Sequence, residues 1–103
     1  MKLIEKLSDM IEEELCDAEK YIRCAMDKKT DYPALAATFH KLSVEEMNHV
    51  NLLHDQVVVL INDYRAKNGE PPEKMQGIYD YLHRKHIEQA NEIKVMQQLF
   101  TQK

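Results

Sequence analysis

Apolar residues recur every three or four positions through nearly the whole chain, and no segment alternates with period two. That spacing marks amphipathic helices rather than strands. Ile4, Leu7, Ile11, Ala18, Tyr21 and Ala25 trace one stripe, and Leu35, Phe39, Leu42, Leu53, Leu60 and Tyr64 a second. A third runs through Met75, Tyr79, Leu82, His86, Gln89, Ile93, Met96 and Phe100. The breaks between stripes carry turn chemistry. Pro33 is favoured in a first helical turn and pushes Tyr32 out of the α region. Asn68-Gly69 supplies a left-handed stop, and Pro71-Pro72 forbids continuation. The spacing predicts helices over about 3–28, 33–67 and 72–100 in one domain, with Gly77 a weak point early in the third. Short turns make neighbours antiparallel, so the expected fold is all-α, an up-down-up set of long helices.

Polar residues interrupt two of these stripes. Glu14 stands between Ile11 and Ala18, and Glu46 and His49 stand between Leu42 and Leu53. A carboxylate facing a core costs several kcal/mol unless a partner or a metal compensates it. Counted out from a turn near residue 30, Glu14 lies about sixteen residues back and Glu46 about sixteen forward, so antiparallel packing sets them level. His49 follows one turn along the same face. Glu-x-x-His alone is a weak signal in a chain with eleven glutamates and five histidines; inward phase on both helices and equal height make it specific. Carboxylates with a neutral imidazole suit iron or manganese, and no inward Cys points to a soft thiolate site.

In carboxylate di-metal bundles two helices each give one Glu and two give Glu-x-x-His. This chain has one of each. Two copies about a two-fold axis would supply four carboxylates and two imidazoles, so a homo-oligomer, at least a dimer, is expected. In the third helix Glu92 has the matching height on the flank of the stripe and is a candidate extra carboxylate. His86 has the right phase but sits a turn away, and Asp80-x-x-His83 is a pattern chance easily provides. His40 and His54 fall beside their stripe and read as ordinary, and the six Met read as core filler.

Charged residues make up 31% of the chain and apolar ones 44%, with two Gly and three Pro, the balance of long amphipathic helices. A formal charge of −4 argues against a nucleic-acid partner held through phosphates. No apolar run approaches membrane-spanning length, and Glu5 and Asp9 spoil the opening stretch as an export signal. Cys16 and Cys24 lie eight apart on one predicted helix, about 12 Å along its axis and too far to bridge within the chain. Two unbridged thiols suit a cytoplasmic setting.

Glu14-Leu15-Cys16-Asp17-Ala18-Glu19-Lys20-Tyr21 resembles the Glu-x6-Tyr segment of ferritin-like, rubrerythrin-type proteins. Leu42-Ser43-Val44-Glu45-Glu46-Met47-Asn48-His49 is similar to their Glu-Glu-x-x-His segment, and together the likeness covers roughly the first 65 residues. It implies that Glu14, Glu46 and His49 are iron ligands and that Tyr21 brings a hydroxyl near the site. It also implies ferroxidase or rubrerythrin-like peroxidase chemistry, oxidising Fe(II) with O2 or peroxide for sequestration or detoxification. The family's fourth helix and its Cys-x-x-Cys module have no counterpart. Encapsulated ferritin-like proteins resemble this shorter plan, with the iron site built between two chains, and that likeness extends to a larger assembly. The competing readings are a metal-free three-helix interaction module, whose stripe polars fix oligomer register, and a ferritin-like scaffold that has lost its chemistry.

Overall fold

Pro33 opens the longest helix of the chain, with Tyr32 held outside the helical region at φ −136° and ψ 69°. In the computed structural model, which describes residues 1–102, helix α1 spans Lys2–Lys28, α2 spans Pro33–Asn68 and α3 spans Glu73–Thr101. These bounds lie within a residue of those expected from the pattern, and among the described residues there is no strand. Gly69 ends α2 at φ +76°, a conformation costly for any residue with a Cβ, and its N–H donates to the Arg65 carbonyl at 3.0 Å. Pro72 sits in extended conformation as the N-cap of α3, so the chain restarts where the sequence said it must. At 1.5 Å per residue the 36 residues of α2 span about 54 Å, which matches the 55 Å long axis of the molecule. Among the described residues no helix is long and apolar enough to cross a membrane.

Contacts fix the order of the helices. Ser43 of α2 donates from Oγ to the Ala18 carbonyl of α1 at 2.7 Å, and Tyr21 stacks on Phe39 with centroids 6.3 Å apart. His49 meets Glu14 further along, so partners step back along α1 as they step forward along α2. Helix α3 lies against the pair in the sense of α1. Its start is met by Met1, whose amine donates to the Tyr79 hydroxyl, and its end by Lys29, which donates to the carbonyls of Phe100 and Gln102. Gln97 donates to Ser43 Oγ at 2.9 Å, so one buried hydroxyl ties all three helices.

The core corrects the expected stripes. Ile4, Ile11, Leu15, Ala18, Ile22 and Ala25 are the buried residues of α1, with Leu15 and Ile22 fully enclosed. Ala36, Ser43, Met47 and Val50 are those of α2. Leu7, Glu14 and Tyr21, expected at the centre, are half-buried on one shoulder; so are Phe39, Leu42 and Glu46, while Leu35 and His49 are exposed. The reason is the third helix. Where α1 packs against two neighbours its buried sector shifts toward the second, and a stripe centred for one partner becomes a rim.

Candidate metal centre

Glu14, Glu46 and His49 do converge. One oxygen from each carboxylate and one ring nitrogen of His49 all lie within 4.8 Å of one another. His49 Nδ1 stands between the two carboxylates, 3.5 Å from Glu14 Oε2 and 3.5 Å from Glu46 Oε2. Donors about 2.0–2.2 Å from a first-row metal lie at most about 4.4 Å apart across it, so rotation of exposed side chains by well under an ångström would close the ring. Local sequence builds this: the i, i+3 spacing stacks Glu46 and His49 on one face of α2, and the antiparallel register brings Glu14 level from α1.

One detail separates this arrangement from an ordinary polar cluster. Glu46 Oε2 is buried and has no hydrogen-bond partner, the one such side-chain oxygen or nitrogen among the described residues. His49 is close to it, but no hydrogen bond is made. A carboxylate oxygen withdrawn from water and left unpaired costs roughly 1–3 kcal/mol or more, and a cation between the three side chains would remove that cost. The donor set, two carboxylates and one imidazole, suits iron or manganese.

The site faces away from α3. Glu12 pairs with Lys85 of α3 at 3.8 Å, and Cys16 meets Gln89 of α3. Glu14 lies midway between Glu12 and Cys16, about 200° round the helix from each, and therefore points to the opposite side. Three heptad lines carry the trio: Leu7, Glu14, Tyr21; Phe39, Glu46, Leu53; and Leu35, Leu42, His49. Together they form a largely apolar, half-exposed face of the α1–α2 pair that no other helix among the described residues covers. Accordingly the side chain of Glu14 is 29% exposed and that of His49 52%.

Glu92, the candidate fourth ligand, is not brought to this spot. It is exposed on α3 and lines a shallow groove with Arg23, Asn91, Val95 and Met96. The expected height is off as well: Lys85 stands by Glu12 and Gln89 by Cys16, so Glu92 lies more than a turn past Glu14, near Arg23, and α3 docks on the far side of α1. Tyr21 lies two turns from Glu14, about 10.5 Å along the axis, with its ring on Phe39. Within one chain its hydroxyl makes no hydrogen bond to the trio.

A second polar cluster escaped the sequence reading. His54 of α2 stacks on His83 of α3, centroids 5.1 Å apart and planes 20° apart. With His86 they line a half-open cavity of about 290 Å³ between the three helices, with His83 on its exposed side. Burial pushes the His86 imidazole below its ordinary range, Glu12 pulls it up, and His83, Lys85 and His54 push it lower. Reflection about Gly69, which placed Glu92 in height, also sets His54 beside His83; that signal was available. Burial likewise raises the Tyr79 hydroxyl, helped by Glu5 and Tyr64.

Comparison with protein-family models, with curated proteins and with solved structures finds no match to this chain.

Proposed function

We propose that this is a ferritin-like, non-haem iron-binding protein whose Glu14, Glu46 and His49 form half of a dinuclear centre. A second copy, docked about a two-fold axis on the uncovered α1–α2 face, supplies the other half. The observation that carries the reading is the unpartnered Glu46 oxygen, buried beside a second carboxylate and an imidazole at the middle of an open apolar face. A polar cluster kept only for helix register would complete its own hydrogen bonds. This one does not, which weighs against the metal-free interaction module and against a scaffold that has lost its chemistry.

In this reading the chain is an up-down-up bundle, a ferritin-like hairpin of α1 and α2 with α3 as a third helix along its back. Each chain brings two carboxylates and one imidazole, and two chains together bring a set that can hold two metal ions. Glu14 and Glu46 would hold the metal and balance its charge, and His49 would add a neutral nitrogen donor. Leu7, Leu42 and Leu53 close around them and exclude water when the faces meet. Tyr21, two turns along the same line, comes near the partner's half rather than its own. Iron held there would supply the redox chemistry: two Fe(II), oxidised to Fe(III), deliver the two electrons that with two protons from water reduce one hydrogen peroxide to two waters. Fe(II) is then the substrate, O2 or peroxide the oxidant, and the setting cytoplasmic, with manganese the other metal the donor set admits. A larger assembly of such dimers is compatible with the apolar residues left on α3, among them Ile78, Tyr81, Val95 and Leu99.

The test is anaerobic loading with Fe(II), followed by metal analysis and sedimentation. The expected result is one iron per chain in a species of at least two chains, oxidised on admission of O2 or peroxide. A chain that stays monomeric and binds no metal tighter than a Glu46→Ala variant overturns the reading.

A further inference from the structure

The His54, His83 and His86 cluster belongs to a different part of the molecule from the proposed metal centre. Among the described residues, only Glu14, Glu46 and His49 gather three ligand atoms within 4.8 Å. The imidazole-lined cavity is therefore not preassembled for a metal. What its geometry holds instead is charge that has not yet been placed. We propose that helix α3 carries an acid-released clasp: protonation of the His54–His83–His86 cluster lifts the N-terminal half of α3 off the α1–α2 pair, while its C-terminal half stays docked.

The two halves of α3 are held differently. In the C-terminal half Ile93 is fully buried, and Gln97 bonds the enclosed Ser43. Lys29 caps the last carbonyls and lies over the Phe100 ring at 5.1 Å. His40 also stacks there on Phe100, and an imidazolium on a benzene face is attractive. In the N-terminal half Tyr79 is the one residue counted as buried. Beneath it lies a cavity of about 290 Å³, where close packing would otherwise bind the helices. Its attachments are mostly peripheral: the histidine stack, the Met1 amine on Tyr79 and Met75, the exposed Glu12–Lys85 pair, the exposed Arg65–Gln76 and Cys16–Gln89 contacts, and Ala90 against the core. Gly77 further weakens the helix there.

Charge at the cluster is unbalanced once it titrates. Glu12 faces it from α1, His54 and then Arg65 from α2, and Asp80, Lys85 and Tyr79 from α3. Arg65 is paired with Glu70 at 3.2 Å. Three imidazolium groups with Lys85 make four positive charges against the two of Glu12 and Asp80. Two protonated rings stacked 5.1 Å apart would repel each other.

The sign follows from linkage. Burial holds His86 below its ordinary range when α3 is docked, so the undocked form binds the extra proton. Docking is at full strength above the ordinary histidine range and weakens as pH falls through about 6.5. Between about pH 7.5 and about pH 5.5, excluding His86 from protonation in the docked form shifts the equilibrium by about tenfold.

The experiment is amide hydrogen exchange on the full chain with a metal chelator present, read as protection factors at the two pH values. Residues 73–90 should lose protection at least tenfold at the lower pH, and regain it on return, while residues 91–101 and the α1–α2 core keep theirs. His83→Phe keeps an aromatic stack and removes one positive charge facing His86, so its acid loss should be smaller. His86→Gln is the second variant, decisive if His83→Phe fails to dock α3 at neutral pH. Protection of 73–90 that does not change with pH overturns the proposal. So does simultaneous loss in all three helices, or a parent-sized acid loss in the deciding variant.

Discussion

Replacing Glu46 by Gln removes one charge and keeps the side-chain volume, and its effect should reverse with metal. Without metal, the oxygens of Glu14 and Glu46 lie within 4.8 Å of each other, on side chains 29% and 18% exposed. Two unit charges at that distance repel by about 3.5 kcal/mol at an effective dielectric near 20 and about 0.9 kcal/mol in bulk water. The site is half open, so the lower end applies, about 1 kcal/mol. Glu46 Oε2 has no hydrogen bond to lose. Glu46→Gln should therefore leave the metal-free protein equally stable or more stable, by up to about 1 kcal/mol, or about 4–8 °C in Tm for a domain this size.

With Fe(II) or Mn(II) the order inverts. Binding to the folded state alone adds about 2.7 kcal/mol at a hundredfold excess over Kd, about 10–20 °C in the parent. Glu46→Gln should lose most of that gain. The assay is thermal unfolding at about pH 8, above the ordinary histidine range, with chelator or with anaerobic metal, at fixed protein concentration. A register role for Glu46 predicts the opposite pattern: a variant less stable by roughly 1–3 kcal/mol, because His49 loses its partner, and neither protein responding to metal. That pattern would refute the reasoning.

Metal and assembly should be linked: Fe(II) or Mn(II) should shift sedimentation from one chain to two, and Leu42→Asp should abolish the shift while leaving the helical content intact. Ser43→Ala removes the partner of the half-buried Gln97 amide and the second bond to the Ala18 carbonyl, and denaturant unfolding should show a loss of about 1–2 kcal/mol. Gly77→Ala should stabilise by about 0.5–1 kcal/mol, since a Cβ there meets nothing within 4 Å. Gly69→Ala should destabilise despite equally open space, because its φ of +76° is strained for alanine; the pair compared by Tm isolates the backbone term.

Local chemistry made the helices legible. Pro33, Gly69 and Pro72 act on their own neighbours, so their positions fix helix ends without any tertiary contact. The register of α1 on α2 was legible for a related reason: a short turn leaves one height at which Glu14 can face Glu46. The direction of burial was not. Leu15 and Ile22 stand four residues after Ile11 and Ala18, on the same face, and the expected stripe ran instead along the Leu7–Glu14–Tyr21 edge of that face. Which shoulder α3 covers is decided by Ser43, Gln97 and Ile93 acting together across three helices, and no single segment encodes that choice. Glu92 was misplaced for the same reason, and His54 and His83 were passed over although their heights agree.

The displaced stripe bears on how the proposed centre works. Had Glu14 and Glu46 been central to the core, each chain would enclose two anionic groups on folding and depend on metal to fold at all. On the rim they remain partly hydrated, and a single chain can fold around Leu15, Ile22, Ile93 and Ser43 without them. The cost of the carboxylates then falls on association. Two faces meeting without metal would press four carboxylates together in a drying interface, and repulsion at such distances exceeds what a few half-buried leucines return. Two divalent cations cancel the four charges. In the proposed dimer, assembly and metal binding would thereby be reciprocal, each strengthening the other by the same factor. The apolar rim around Glu14 and Glu46 would supply the attraction, and the charge at its centre would make that attraction conditional on metal.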